Sequence, residues 1–186
     1  MTESRVTLMH RLFWGCSLVC LAASVMAADK TPPVVTASAV LATDAAHPGS
    51  IVQAALVARI TPGYHINAHQ PSHEYLIPSE LKINPNPQVT VQDIQYPPGM
   101  AIKFEFDDAK LSVYEGTLVV RAELKIARGT KPGEYTLKGK FAYQACNDRA
   151  CFPPTSVPVE LAVKVVRPNV AVKQVHGDLF KRVKVE

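Results

Sequence analysis

A two-residue hydrophobic period, cut at short intervals by proline and glycine, constrains this chain more than any other feature. Leu118, Val120, Ala122, Leu124 and Ile126 fall on one side of an extended backbone, with Arg121, Glu123 and Lys125 on the other. The same alternation groups Val52, Ala54, Leu56, Ala58 and Ile60 on one face. It groups Tyr135, Leu137, Phe141 and Tyr143 on a second, and Val157, Val159, Leu161, Val163 and Val165 on a third. A helix would scatter these sets around its axis; a half-buried sheet gathers each on one side. VVTASAVLA (34–42), QVTVQDIQY (88–96) and the short AIKFEF (101–106) are further β-prone runs, and a strand is expected around Ser79–Ile83. Thr61-Pro62-Gly63, Asn84-Pro85-Asn86-Pro87, Pro97-Pro98-Gly99 and Lys131-Pro132-Gly133 separate these runs as turns. The pattern predicts an all-β sandwich, with a closed barrel as the alternative.

The N-terminus reads differently. Arg5 and Arg11 precede an apolar stretch, and Val25-Met26-Ala27 offers small residues for cleavage, as in an export signal over residues 1–27. The apolar run Leu12 to Met26 is shorter than the roughly 20 residues a membrane span needs. A lipid anchor at Cys20 is the weaker rival, because Val19 stands where a small residue is wanted. The expectation is a periplasmic protein with no stable membrane anchor after signal cleavage. Residues 28–33 form a short leader, 34–166 the domain, and 167–186 a tail with a basic end, read as loosely ordered. Cleavage would remove two of 20 basic and one of 16 acidic side chains, taking the formal charge from +4 to +3. So small and dispersed a charge argues against nucleic acid as a partner.

Cleavage would also remove Cys16 and Cys20, leaving Cys146 and Cys151 within YQACNDRACFPP (143–154). An oxidising compartment permits a disulfide there. The runs 133–145 and 157–166 are sequential, so a hairpin can bring the two cysteines together, and Pro153 and Pro154 restrain the backbone after them. A bridge across so short a loop removes only about 2 kcal/mol of unfolded-state entropy, on the low side for a structural staple. A small loop disulfide suits exchange through mixed disulfides better. Arg149 favours a thiolate and Asp148 opposes it. Zinc would need two further ligands, and neither His73 nor His176 has ligand spacing with the pair. A thioredoxin fold is disfavoured by the lack of C-x-x-C and of alternating strands and helices.

Four stretches together are recognisable: GYHIN (63–67), EYLIPSEL (74–81), LSVYEG (111–116) and YQACNDRACFPP (143–154). In them residues 34–166 resemble the N-terminal periplasmic domain family of the thiol:disulfide interchange protein DsbD. The resemblance implies an immunoglobulin-like β-sandwich with the cysteines near one end and no organic or metal cofactor. It implies that Cys146 and Cys151 are the redox pair, with Cys151 forming mixed disulfides. Implied partners are thioredoxin-like donor or acceptor proteins and a membrane electron transporter. Family members also cap their cysteines with an aromatic residue; the matching stretch is FEFDDAKLSVY (104–114), where Phe104 or Phe106 serves or simply packs in the core. The resemblance further places Tyr64, His65 and Asn67 near the pair. Tyr143 leads into Cys146, but its face predicts core packing.

His65, His69 and His73 recur every four residues, a metal stripe only on a helix, and Pro71 argues against one. Acid–base hydrolysis and phosphate binding find no motif. The leading expectation is a thiol:disulfide oxidoreductase relaying reducing equivalents through Cys146 and Cys151 to or from exported proteins. The alternative is an immunoglobulin-like adaptor with the pair as a staple, and a metal-handling protein using the histidines is a minor third.

Overall fold

The structure is a computed structural model that describes residues 33–105 and 108–180. The expected signal at 1–27, most of the leader, Phe106 and the last six residues of the tail lie outside the described residues. The chain is an immunoglobulin-like β-sandwich. Strands β1 (Val35–Leu41), β2 (Ile51–Ile60), β5 (Val89–Gln95) and β8 (Thr117–Ile126) form one sheet in the order β1-β2-β8-β5. Strands β4 (Glu80–Ile83), β9 (Gly133–Tyr143) and β11 (Thr155–Val165) form the facing sheet in the order β11-β9-β4. Among the described residues, every strand pair within these sheets is antiparallel.

The period-two sets meet in the space between these sheets. Val52, Ala54, Leu56, Ala58 and Ile60 are buried, as are Leu118, Val120, Ala122, Leu124 and Ile126. From the other sheet Leu137, Phe141, Val159, Leu161, Val163 and Val165 complete the core. Burying a side chain the size of Phe141 in full stabilises the fold by about 1.5–3 kcal/mol.

A third, smaller sheet closes one end. It comprises β3 (His65–Asn67), β6 (Met100–Lys103), β7 (Lys110–Tyr114) and β10 (Ala145–Cys146), in the order β10-β3-β7-β6. Two long strands feed it by changing sheets. β9 passes into β10 across Gln144, and β7 passes into β8 across Glu115 and Gly116. Gly116 has φ of +63°, a left-handed conformation that glycine adopts without a Cβ penalty, and its carbonyl accepts the Ile60 N–H at 2.7 Å. The extended run expected over 101–106 is β6, ending at Lys103, while β3 and β7 arise in stretches where no strand was expected.

The tail departs from expectation. Residues 167–180 lie against the sandwich instead of hanging loose. Val175 N–H donates to Ala42 O at 2.8 Å, Asp44 N–H to Lys173 O at 3.0 Å, and Lys173 N–H to Asp44 Oδ1 at 2.9 Å. A short helix α1 (Gly177–Phe180) then packs against β2, and Leu179 O accepts Arg121 Nε–H at 3.0 Å. The physical cause is the segment just after β1. Ala42 N–H still donates to Gln53 O of β2, but the Ala42 carbonyl and the Asp44 N–H find their partners in the tail.

Candidate functional site

Cys146 closes β10 and Cys151 follows a four-residue turn, and the two are joined by a disulfide with Cα atoms 3.9 Å apart. The turn is built by Asn147. Its N–H donates to Ala150 O at 3.0 Å, and its Oδ1 accepts the N–H groups of Arg149 and Ala150, each at 2.9 Å. An asparagine side chain that mimics a backbone turn in this way is the usual device for so tight a reversal. Phe152 N–H then donates to Ala145 O at 2.8 Å. The loop is thus held by hydrogen bonds on both sides of the disulfide.

The two sulfurs are not equivalent. Cys146 is 1% exposed, whereas Cys151 is exposed. Beyond the turn, Asp148 and Arg149 point to solvent and lie 4.0 Å from each other. So exposed a pair contributes little to the site's energetics.

β3 lies alongside β10, with Cys146 opposite His65 and Ala145 opposite Ile66. All three β3 residues are buried. Burial lowers the His65 pKa below its ordinary 6.5, because the imidazolium loses hydration there. Phe104, just past β6, stacks on the His65 ring at 4.1 Å between centroids and 22° between planes. Phe104 therefore lies over the ring of the residue that faces Cys146 across the strand pair. Phe106 lies outside the described residues.

Asn67 leads into a network that sequence reasoning passed over. Its Nδ2 donates to Ile77 O at 3.0 Å and to Gln144 Oε1 at 3.1 Å, and Gln144 Nε2 donates to Phe152 O at 3.2 Å. Ser79, fully buried, donates from Oγ to Asn67 O at 2.6 Å. Ser79, Asn67 and Gln144 together tie the cysteine loop to β3 and to the segment before β4. The position of Gln144 two residues before Cys146 was the available signal; its role needed the partner strands.

Of the remaining sequence candidates, Tyr64 packs against the core and its ring lies 5.9 Å from that of Phe152. Tyr143 is a core residue. It is 2% exposed, its ring is 6.0 Å from that of Phe141, and burial raises its phenol pKa. The three histidines go to different partners: His65 to Phe104, His69 to Tyr96 at 3.7 Å, and His73 to Tyr75 at 5.1 Å. Among the described residues no three His, Cys, Asp or Glu side chains gather in a way that would hold a metal ion.

Among solved structures, the chain is similar to the N-terminal periplasmic domain of ScsB from Proteus mirabilis. Identity is 19% and the TM-score 0.44, over 68% of this chain and 44% of that one. The chain thus spans less than half the length of that relative. It is also similar to the Neisseria meningitidis DsbD n-terminal domain in the reduced form, at 18% identity and a TM-score of 0.38, over 75% and 88% of the two chains. A third similarity, at 18% identity and a TM-score of 0.38, is to the complex between the DsbD N-terminal and PilB N-terminal domains from the same organism, over 66% and 80%. A search of curated proteins finds no match. The model of the N-terminal region of the thiol:disulfide interchange protein DsbD matches residues 33–162, most of the chain and both bonded cysteines, so the chain belongs to that family and is a thiol:disulfide interchange domain.

Proposed function

We propose that the domain is a periplasmic relay that passes reducing equivalents through Cys146 and Cys151 to or from exported proteins. The observation that carries this reading is the asymmetry of the pair: one sulfur exposed at the turn, the other buried in β10. In the reduced state the accessible Cys151 thiolate attacks a client disulfide and forms a mixed disulfide. Cys146 then attacks Cys151 Sγ, the client's sulfur departs with the bonding electrons, and the intramolecular disulfide re-forms. The bonds from Phe152 N–H to Ala145 O and from the Asn147 turn do not depend on the disulfide. They keep the cysteines adjacent when it opens, which makes resolution an intramolecular step favoured by proximity.

Thioredoxin-like proteins are the proposed donors or acceptors, supplied in turn by a membrane electron transporter. Phe152 and Ile77, 39% and 42% exposed, offer apolar contact beside Cys151 for such a partner. The chemistry uses sulfur alone, without metal or organic cofactor. The periplasmic assignment rests on the family and on the expected signal at 1–27; no helix among the described residues is long and apolar enough to cross a membrane.

The test is the reduction potential of the pair, measured by equilibrating residues 28–186 in glutathione buffers and counting free thiols. The relay predicts a value above about −250 mV, and Cys151→Ser abolishes exchange. A value below roughly −300 mV makes the bond a structural staple and the domain an adaptor.

A further inference from the structure

One buried titratable side chain beside the cysteine loop has no part in the sulfur chemistry above. His65 is 2% exposed and lies directly across the strand pair from Cys146. Residues opposed in this way project from the same face of a sheet, with Cβ atoms about 5 Å apart. The imidazole and the Cys146 side chain therefore share one side of the small sheet. Phe104 covers the ring, and His65 Nε2 is buried with no hydrogen-bond partner among the described residues. Buried polar atoms are normally paired, so an unpaired one calls for a role in another state of the molecule. Closed in the disulfide, Cys146 has no proton to share; reduced, it presents a thiol or thiolate beside the ring.

Cys146 also has a need that Cys151 lacks. At 1% exposure its thiol is shielded from bulk water, and burial in apolar surroundings disfavours the thiolate it must become in order to attack. An exposed cysteine passes its proton to solvent directly. We propose that His65 is the acid–base partner of Cys146.

The inference rests on the relay reading and adds a proton path to it. During resolution the Cys146–Cys151 bond forms and the bond from Cys151 to the client sulfur breaks, the electron pair leaving with that sulfur. The Cys146 proton moves to His65 and from there to the departing client thiolate. In the opposite half-cycle a donor dithiol opens the disulfide through Cys151, and the donor's thiol proton reaches the released Cys146 thiolate by the reverse route. Burial favours the neutral imidazole, the form that can accept a proton. Among the described residues, the charged and titratable side chains on the neighbouring segments are Lys103 and Glu105 beside Phe104, Asp108, Lys110, Tyr114 and Glu115 on and around β7, and Asp148 and Arg149 in the turn. None of them is a cause of the His65 shift, for which burial accounts.

The test reacts reduced protein with oxidised glutathione and follows two steps by acid quench and mass spectrometry: formation of the mixed disulfide, then release of the second glutathione. His65→Gln is expected to slow the second step on the order of a hundredfold and leave the first unchanged. The wild-type second step should fall as pH drops through the His65 titration, a limb absent from His65→Gln. Free imidazole should restore the second step in His65→Ala. An unchanged second step with an unchanged pH profile in His65→Gln overturns the proposal. Should either variant fail to fold, proton NMR of the wild-type protein decides. The His65 midpoint must differ between oxidised and dithiothreitol-reduced forms, and identical midpoints overturn the assignment. Absence of the first step in the wild type rejects the relay instead, and the NMR comparison still decides the role of His65.

Discussion

Cys151 and Cys146 differ in exposure because one follows a turn and the other is paired in the sheet with buried His65, on whose ring the stretch carrying Phe104 stacks. That stretch makes a residue-scale prediction. The Phe104–His65 stack joins that stretch to β3, and an aromatic stack of this kind is worth about 0.5–1.5 kcal/mol beyond its buried area. Phe104→Ala should therefore raise the rate at which dithiothreitol opens the disulfide by up to about tenfold, since 1.4 kcal/mol is a factor of ten. Stopped-flow reduction checks it; an unchanged rate means that Phe104 does not gate the pair. The cysteines themselves were legible from spacing and context. Phe104 and Phe106 stood as equal candidates for a cap, because nothing local distinguishes a covering phenylalanine from a core one.

At the scale of elements, long strands with one buried face were read correctly, and β3, a short strand buried on both sides, was not. β8 shows strict alternation of buried and half-buried residues, so its period survives in the sequence. β3 is buried at all three positions, because the core lies on one side and Phe104 stacks on the other. Three residues without alternation carry no period. The tail failed for a related reason: its partners are Ala42, Asp44 and Arg121, far away in the chain. Gly139 illustrates close packing between elements. A Cβ there would overlap Lys82 O and approach Ile83 Cδ1 at 2.8 Å, so β4 can pair with β9 only across a residue without a side chain. Gly139→Ala is expected to cost about 1–3 kcal/mol by overpacking, read as a lower urea midpoint with the slope retained.

The whole molecule carries a pH dependence through His65. Its folded pKa lies below the unfolded value of 6.5, so the unfolded chain binds the proton more readily. Stability from this group is present above pH 6.5 and is lost as pH falls from there through the folded pKa. Urea midpoints of the oxidised domain should drop between pH 7 and pH 5, and His65→Phe should flatten that slope. An equal slope in the variant would place the sensitivity in other groups.

The sequence by itself determined the all-β class, the buried face of each long strand and the pair of cysteines, because each is written locally, in a period of two or a spacing of five. Tertiary structure decided which cysteine is exposed, that Phe104 stacks on His65, and that Gln144, Asn67 and Ser79 form one network. It also decided that residues 167–180 dock. Those outcomes depend on strands changing sheets at Gln144 and at Glu115–Gly116, and on partners brought together from opposite ends of the chain. A local pattern records which face is apolar; only the closed sandwich determines what that face meets.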